Sequence, residues 1–294
     1  MNNKKMNYEE WVAYYYDKCE GDYKIVWSLN KTLALHYGYW DESTRNHKEA
    51  VRNMNLVLAR RAGVRSTDRV LDAGCGVGGS SIFLARNYGC QMVGVALSEK
   101  QVRSAKKNAT KHNVSHLTHF VKKNYQNTGF EANSFDVVWG LESIVQSDDR
   151  EGFLREAKRL LKPGGRLVIA EYMQVRSKLT SDEQSIMERW ADGWACRDFT
   201  VLDSLVETMR RLGFADIQIT DETEHIRRSA EDMHRAYWFW YIPAKLAEFV
   251  GIRQRVHAGN FLTARLQYKA FRDNIVRYSI VSARLNKDVS APGR

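Results

Sequence analysis

The sequence predicts an α/β protein, with one seven-stranded parallel sheet and a helical cap. Three observations predict it. From residue 69, short apolar runs alternate with helical stretches, the pattern of parallel strands joined by right-handed crossovers. The apolar run Val70-Leu71 delivers Asp72 to a glycine-rich turn, Gly74-Cys75-Gly76-Val77-Gly78-Gly79, and a helix opens directly behind it. The chain has 294 residues, enough for one large domain with added helices.

The elements follow in order. Residues 8 to 60 read as helices: an aromatic amphipathic stretch from Tyr8 through Tyr16, then Asn46 to Ala62. That second helix carries Ala50, Val51, Met54, Val57, Leu58 and Ala59 at helical spacing, and Gly63 stops it. The alternation then gives strand 69–73, helix 79–87, strand 91–95, helix 98–112 and strand 117–121. Strand 135–141, helix 148–161 and strand 166–172 continue it. Helix 200–212 ends at Gly213, and strand 215–220 follows. Apolar periodicity marks a helical insertion over about 225–274, and strand 276–284 closes the sheet. The expected organisation is a helical lid over 1–62, a core over 63–222, a cap over 223–275, a last core strand within 276–289 and a loose tail over 290–294.

The glycine turn reads as the floor of a nucleotide-type cofactor site. Glycine lets a ligand lie against bare backbone, and amides at a helix start favour electron-rich atoms. Gly74, Gly76 and Gly79 fit G-x-G-x-x-G, which suggests a nicotinamide dinucleotide. Two facts count against that. The dinucleotide reading wants an acid at the end of the next strand, and Ala96 stands there. Asp72, two residues before the first glycine, is foreign to the dinucleotide fingerprint.

The order Asp-x-Gly-x-Gly instead resembles the first motif of the class I S-adenosylmethionine (SAM) dependent methyltransferases. The resemblance continues in register for over a hundred residues. Gly94-Val95-Ala96-Leu97-Ser98-Glu99-Lys100-Gln101 resembles the family's second-strand motif, and Asn124-Tyr125 sits where it usually has an acid and a small residue. Ser134 to Trp139 is similar to its fourth strand, and Leu160 to Ile169, with Lys162-Pro163-Gly164-Gly165, to its fifth. The resemblance implies a Rossmann-like sheet, SAM as cofactor and S-adenosylhomocysteine as product. It places Asp72, Gly74, Cys75, Gly76, Leu97, Ser98, Gln101, Asn124 and Tyr125 around the cofactor. With Ala96 where many members carry a ribose-binding acid, Leu97-Ser98-x-x-Gln101 resembles the cyclopropane-synthase and tocopherol branch, in which a Gln takes over. An amide both donates to and accepts from a diol. Ser98 also reads simply as a helix N-cap.

Leu141-Glu142-Ser143 resembles the motif that follows the fourth strand in sterol, tocopherol and sugar methyltransferases. Several O-methyltransferases carry a His where Gln146 stands, and Gln cannot act as that base. Glu142 is therefore the candidate base, with Glu171 as a second; a structural role for Glu142 stays equally open. His36 to Asp41 resembles the segment whose Tyr closes over SAM, which nominates Tyr37, with Tyr39 and Trp40 toward the acceptor. Five consecutive aromatics, Tyr237 to Tyr241, cannot share one helix face. Tyr237, Trp238 and Tyr241 are nominated, with Gln146, for an apolar acceptor pocket. Cap packing and a membrane-contact patch are the alternatives.

The resemblance thus implies a methyltransferase for a largely apolar small molecule. C-methylation of an isoprenoid, sterol or prenylated quinol leads, and O- or N-methylation of a secondary metabolite is the alternative. A silent SAM-binding protein is a further class. No metal is expected: His112, His116 and His119 straddle helix, turn and strand. The balance of 45 Lys+Arg against 35 Asp+Glu, net +10, raises nucleic acid as a partner. The proline-bearing motifs of nucleic-acid methyltransferases are missing after the fourth strand: the prolines are Pro163, Pro243 and Pro292. Four cysteines without C-x-x-C spacing suggest no disulfide framework, and a reducing, cytoplasmic setting is expected. Peripheral membrane contact is the variant of that expectation.

Overall fold

The computed structural model describes residues 6–251 and 255–286. Strands β1 (Arg69–Ala73), β2 (Gln91–Ala96), β3 (Thr118–Lys122), β4 (Phe135–Leu141), β5 (Leu161–Gln174), β6 (Phe214–Asp221) and β7 (Val276–Leu285) form one sheet. Their order across it is β3-β2-β1-β4-β5-β7-β6. Ten helices accompany them: α1 (Tyr8–Val26), α2 (Leu29–Thr32), α3 (His47–Ala62), α4 (Gly79–Tyr88), α5 (Glu99–Lys111), α6 (Arg150–Leu160), α7 (Ser181–Gly193), α8 (Leu202–Arg211), α9 (Thr223–Phe249) and α10 (Arg255–Arg272).

Alternation along each strand builds two cores. On β1, Val70 faces the layer that contains Met54 and Leu58 of α3, Ile82 of α4 and Val102 of α5. Its neighbour Leu71 faces the opposite layer, with Phe153 and Leu154 of α6 and Leu205 and Met209 of α8. Both faces are apolar, as a central parallel strand requires. The helices begin where local chemistry stops other structure. Asn7 and Glu10 form a capping box on α1, and Asn46, Ser98 and Asp149 cap α3, α5 and α6.

The sheet is mixed, not wholly parallel. β7 runs antiparallel to both β5 and β6. The cause is topological. After β6 the chain builds α9 and α10 at the carboxyl ends of the strands and never returns to the other edge. β7 therefore starts beside Gln174, the last residue of β5, and runs back.

Three further differences have local causes. The insertion after β6 is two helices, with Pro243 accommodated inside α9. β5 begins at Leu161, directly after α6. Helix α7 was not anticipated, although Thr180 and Glu183 form a capping box at its start. It packs under α10 at a close crossing. A Cβ added to Gly193 would lie 2.4 Å from Thr263 Cγ2 and 2.6 Å from the Gly259 carbonyl oxygen. The 290–294 tail lies outside the described residues.

Candidate active site

The glycine turn is fixed from both sides. The Gly74 and Cys75 amides donate to the Val95 carbonyl at 3.0 and 2.9 Å, which ties the turn to the end of β2. Gly74 has φ 96°, and a Cβ there would lie 2.4 Å from Ser143 Cβ. Only glycine serves at that position. The Ser143 hydroxyl in turn donates to the Ala73 carbonyl, so the loops after β1 and β4 touch.

A cleft opens above this turn. It lies at the carboxyl ends of β1, β2 and β4, where ligands of such sheets bind. Asp72, Gly74, Cys75 and Gly76 line its floor, and Leu97, Ser98, Gln101 and Tyr125 its side. Bare backbone below and a side-chain amide beside it fit the adenosine and amino-acid parts of SAM. The Asp72 carboxylate accepts the Ser81 hydroxyl at 2.6 Å, and burial pushes its pKa up to about 6. The Tyr125 hydroxyl donates to the Ser143 carbonyl at 2.9 Å.

Helix α1 closes over this cleft. Ser98 Oγ accepts the Gln101 amide at 3.1 Å, which caps α5, and its own proton goes to Asp17 of α1. Lys100 pairs with Glu20, one turn further along α1. Asn124 lies off the cleft. Its amide donates to Glu9 Oε1 at 2.7 Å, a second tie to α1.

Glu142 stands at the centre of the constellation. It follows β4 with φ 49°, a left-handed conformation that costs about 1–3 kcal/mol in a non-glycine residue and persists where surrounding structure enforces it. Its amide donates to the Ala170 carbonyl at 2.8 Å. One carboxylate oxygen, Oε1, accepts the Tyr37 amide at 2.8 Å and the Tyr278 hydroxyl at 2.7 Å. Burial raises its pKa well above the ordinary 4.5; the Tyr278 bond opposes this, and the neighbouring Glu171 adds to it. The side chain lines the cleft. Tyr37 is wholly buried behind it, with its hydroxyl donating to Gln267 Oε1 at 2.5 Å. Tyr37 thus meets the cleft through Glu142.

Glu171 is placed differently. It is buried and does not line the cleft. Oε2 accepts the Val145 amide at 2.9 Å, while Oε1 has no partner among the described residues. Burial lifts its pKa to about 8. It sits behind the short 3-10 turn Ile144–Gln146, which separates it from the cleft.

Sequence reasoning missed three residues of the site, two that line the cleft and one that backs Glu142. Tyr16 of α1 lines the cleft together with Gln146. Tyr278 reaches in from β7 to Glu142. His36 also lines the cleft, but both of its nitrogens are occupied: Nδ1 meets the Tyr37 carbonyl at 2.9 Å and Nε2 the Asn55 amide at 3.3 Å. Burial depresses its pKa to about 4, so it stays neutral. Burial also raises the Tyr16, Tyr125 and Cys75 pKa values. Those groups stay protonated, which leaves Glu142 as the cleft's polar centre opposite the turn.

A second cavity lies between α1, α9 and α10. Its lining is largely apolar: Trp27, Trp194, Met233, Tyr237, Trp240 and Phe261 are representative. It shares a wall with the first. Tyr16 faces the cleft and stacks at 6.1 Å on Tyr23, which faces the second cavity. Gln146 faces the cleft and donates to the carbonyl of Trp194 at 3.4 Å. Trp27, on the far side, meets Tyr37 edge-on at 5.7 Å.

Of the nominated acceptor residues, Tyr237 lines this cavity and Gln146 the cleft. Trp238 points outward, 53% exposed. Tyr241 lies beside Tyr237 at 5.6 Å and outside the lining. Tyr39 stacks on His225 at 4.1 Å, and Trp40 donates its indole N–H to Ser229 at 2.9 Å. These two fasten the segment before α3 to α9. Cys19, Asp22 and His257 bring one potential metal-ligand atom each within 4.8 Å of one another. His257 and Asp22 already contact each other at 3.3 Å.

Comparisons with known proteins bear on the family and the fold. A family profile described as a methyltransferase domain matches residues 71–169. The 27-O-demethylrifamycin SV methyltransferase of Amycolatopsis mediterranei is 31% identical over 267 residues, covering 88% of this chain and 91% of that one. The crystal structure of geranyl diphosphate C-methyltransferase from Streptomyces coelicolor A3(2) has a TM-score of 0.75 at 19% identity, covering 96% of this chain and 99% of that chain. The 4+2-cyclase SpnF has a TM-score of 0.75 at 24% identity, covering 95% and 96%. These likenesses of structure speak to the fold alone.

Proposed function

The chain belongs to the class I SAM-dependent methyltransferases, and from that footing we propose that it C-methylates a largely apolar small molecule of isoprenoid, sterol or prenylated-quinol type. The observation that carries this reading is the apolar cavity backed against the Glu142 cleft through the Tyr16–Tyr23 wall. The acceptor's hydrocarbon body occupies the second cavity, and its reacting end extends past Tyr16 toward Glu142.

SAM, when bound, supplies an electron-poor methyl group with a thioether as its leaving group. The protein's own contributions are binding, orientation, exclusion of water and one proton site. Gly74, Gly76, Asp72 and Gln101 hold the cofactor. Helix α1, latched by Ser98 and Lys100, shuts water out. An acceptor carbon uses its π electrons for the new C–C bond and is left cationic. Glu142 then takes a proton from the neighbouring carbon, and that C–H pair restores the double bond. Aromatic rings in the shared wall steady the cation. Glu142, held by Tyr37 and Tyr278 on one oxygen, keeps the other for this step.

O-methylation is the second reading, since the rifamycin relative carries an O-methyl activity in its name. It needs a base for a hydroxyl. His36 is disqualified by its two occupied nitrogens, so Glu142 would serve there also.

Filling the second cavity tests the acceptor assignment. Ala264 is buried in its lining. Ala264→Phe is expected to raise KM for the acceptor or abolish turnover while the Kd for SAM stays at the wild-type value. An unchanged KM, with the variant's melting temperature intact, contradicts the assignment.

A further inference from the structure

Helix α9 carries an apolar stripe that nothing among the described residues covers. Phe249 is 89% exposed, Phe239 and Ile242 are each 77% and Leu246 is 62%. Trp238 and Val250 belong to the same stripe. At helical spacing these six positions fall within about 120° of arc, one continuous face. Scattered single apolar residues on a surface need no explanation; a contiguous aromatic face does.

The stripe adjoins the mouth of the second cavity. Trp240 and Pro243 are exposed, and both line that cavity. A path therefore runs from the apolar face between α9 and α10 into the apolar interior. Basic groups flank the face. Arg265 of α10 lies over the Trp238 ring at 5.4 Å. Lys245 of α9 stands beside the stripe, with its ammonium paired to Glu248 at 2.7 Å. Helix α10 has no acidic residue within its bounds, and its last-turn Lys269 and Arg272 pair with Asp273 just beyond them. The chain as a whole is +10.

We propose that this face is a docking surface for an anionic lipid bilayer, and that the acceptor enters the second cavity from the membrane through the gap at Trp240 and Pro243. The inference rests on reading the second cavity as the acceptor site. Three features choose the bilayer over a protein partner. A protein seated on the stripe would seal the cavity mouth, whereas a bilayer would feed it. Indoles and a lysine flanking an aliphatic and phenylalanine stripe match a helix lying in the interface plane. Arg265 and Lys245 on the flanks complement anionic headgroups. No helix among the described residues is long and apolar enough to cross a membrane, so contact at the surface is the form this takes.

Cosedimentation of the full chain with vesicles tests the proposal without any turnover. One set is phosphatidylcholine alone, and the other contains about one-third phosphatidylglycerol. The chain is expected to pellet with the anionic vesicles and weakly or not at all with the neutral ones. The triple variant Phe239→Ser/Ile242→Ser/Phe249→Ser is expected to lose about tenfold in partitioning, with melting temperature and SAM binding unchanged. Wild-type protein that stays in the supernatant with anionic vesicles overturns the proposal, as does a triple variant that pellets like wild type. Light scattering supplies the third outcome. A wild-type dimer that the triple variant converts to monomer assigns the face to a second copy of the chain, which also overturns the proposal. Vesicle binding can fail while Ala264→Phe still raises the acceptor KM, so the two readings fall separately.

Discussion

Glu142 combines a left-handed backbone, burial, a Tyr37 amide and a Tyr278 hydroxyl. A base must be ionised to act, and burial holds this carboxyl above its ordinary 4.5. The acid limb of the pH–rate profile is therefore expected above the usual carboxylate range. Glu142→Gln should lower kcat by roughly 100- to 10,000-fold and remove that limb. A variant that loses activity but keeps the same limb would give Glu142 a positioning role instead. The sequence named this residue because the chain places it next to β4, one step from the sheet. That Asp72, Gly74 and Gln101 line the cleft was legible for the same reason: Asp72 lies on β1 and Gly74 in the turn behind it, and Gln101 lies in the first turn of α5, just behind β2. Tyr16 and Tyr278 were not. Tyr16 reaches the cleft from α1 and Tyr278 reaches Glu142 from β7, at opposite ends of the chain, and only tertiary packing brings them together. Glu171 shows the converse. A carboxylate two residues after Ile169 on β5 looks equivalent to Glu142 in sequence, but it falls behind the Ile144–Gln146 turn.

Among the elements, strands were legible from apolar runs, and helices of the core from caps and spacing. Helix α7 was not read. Its sequence, Ser181 to Gly193, is polar on most of its surface; of its buried residues, Gly193 crosses α10 at Gly259 and Thr263, and Trp190 packs between Tyr172 of β5 and Phe271 of α10. That partner is invisible before the insertion folds back. The crossing supports a prediction. At Gly193 an added side chain meets Thr263 Cγ2 and the Gly259 carbonyl, and backbone cannot yield cheaply. Gly193→Val should destabilise the chain by about 1–3 kcal/mol, read as a lower melting temperature. An unchanged melting temperature would mean that the α7–α10 contact is looser than the geometry states. Because Trp194 follows this crossing and lines the second cavity, the same variant should disturb acceptor binding more than SAM binding.

Over the whole molecule, function divides between the sheet and the helices set upon it. The strands' carboxyl ends carry the cofactor turn and Glu142, while α1, α9 and α10 enclose an apolar volume beside them. The parallel part of the sheet followed from alternation. The reversed β7 did not, because strand direction depends on which edge the cap helices return to. The same fold is found in the 4+2-cyclase SpnF, so chemistry has to be read from the site. Methyl transfer to carbon on an apolar acceptor is open to direct measurement: incubation with SAM carrying an isotopically labelled methyl group and a panel of prenyl, sterol and quinol acceptors, followed by mass spectrometry and NMR of the products. Label is expected on a carbon of a prenyl, sterol or prenylated-quinol product. Label found only on oxygen or nitrogen would overturn carbon as the acceptor atom.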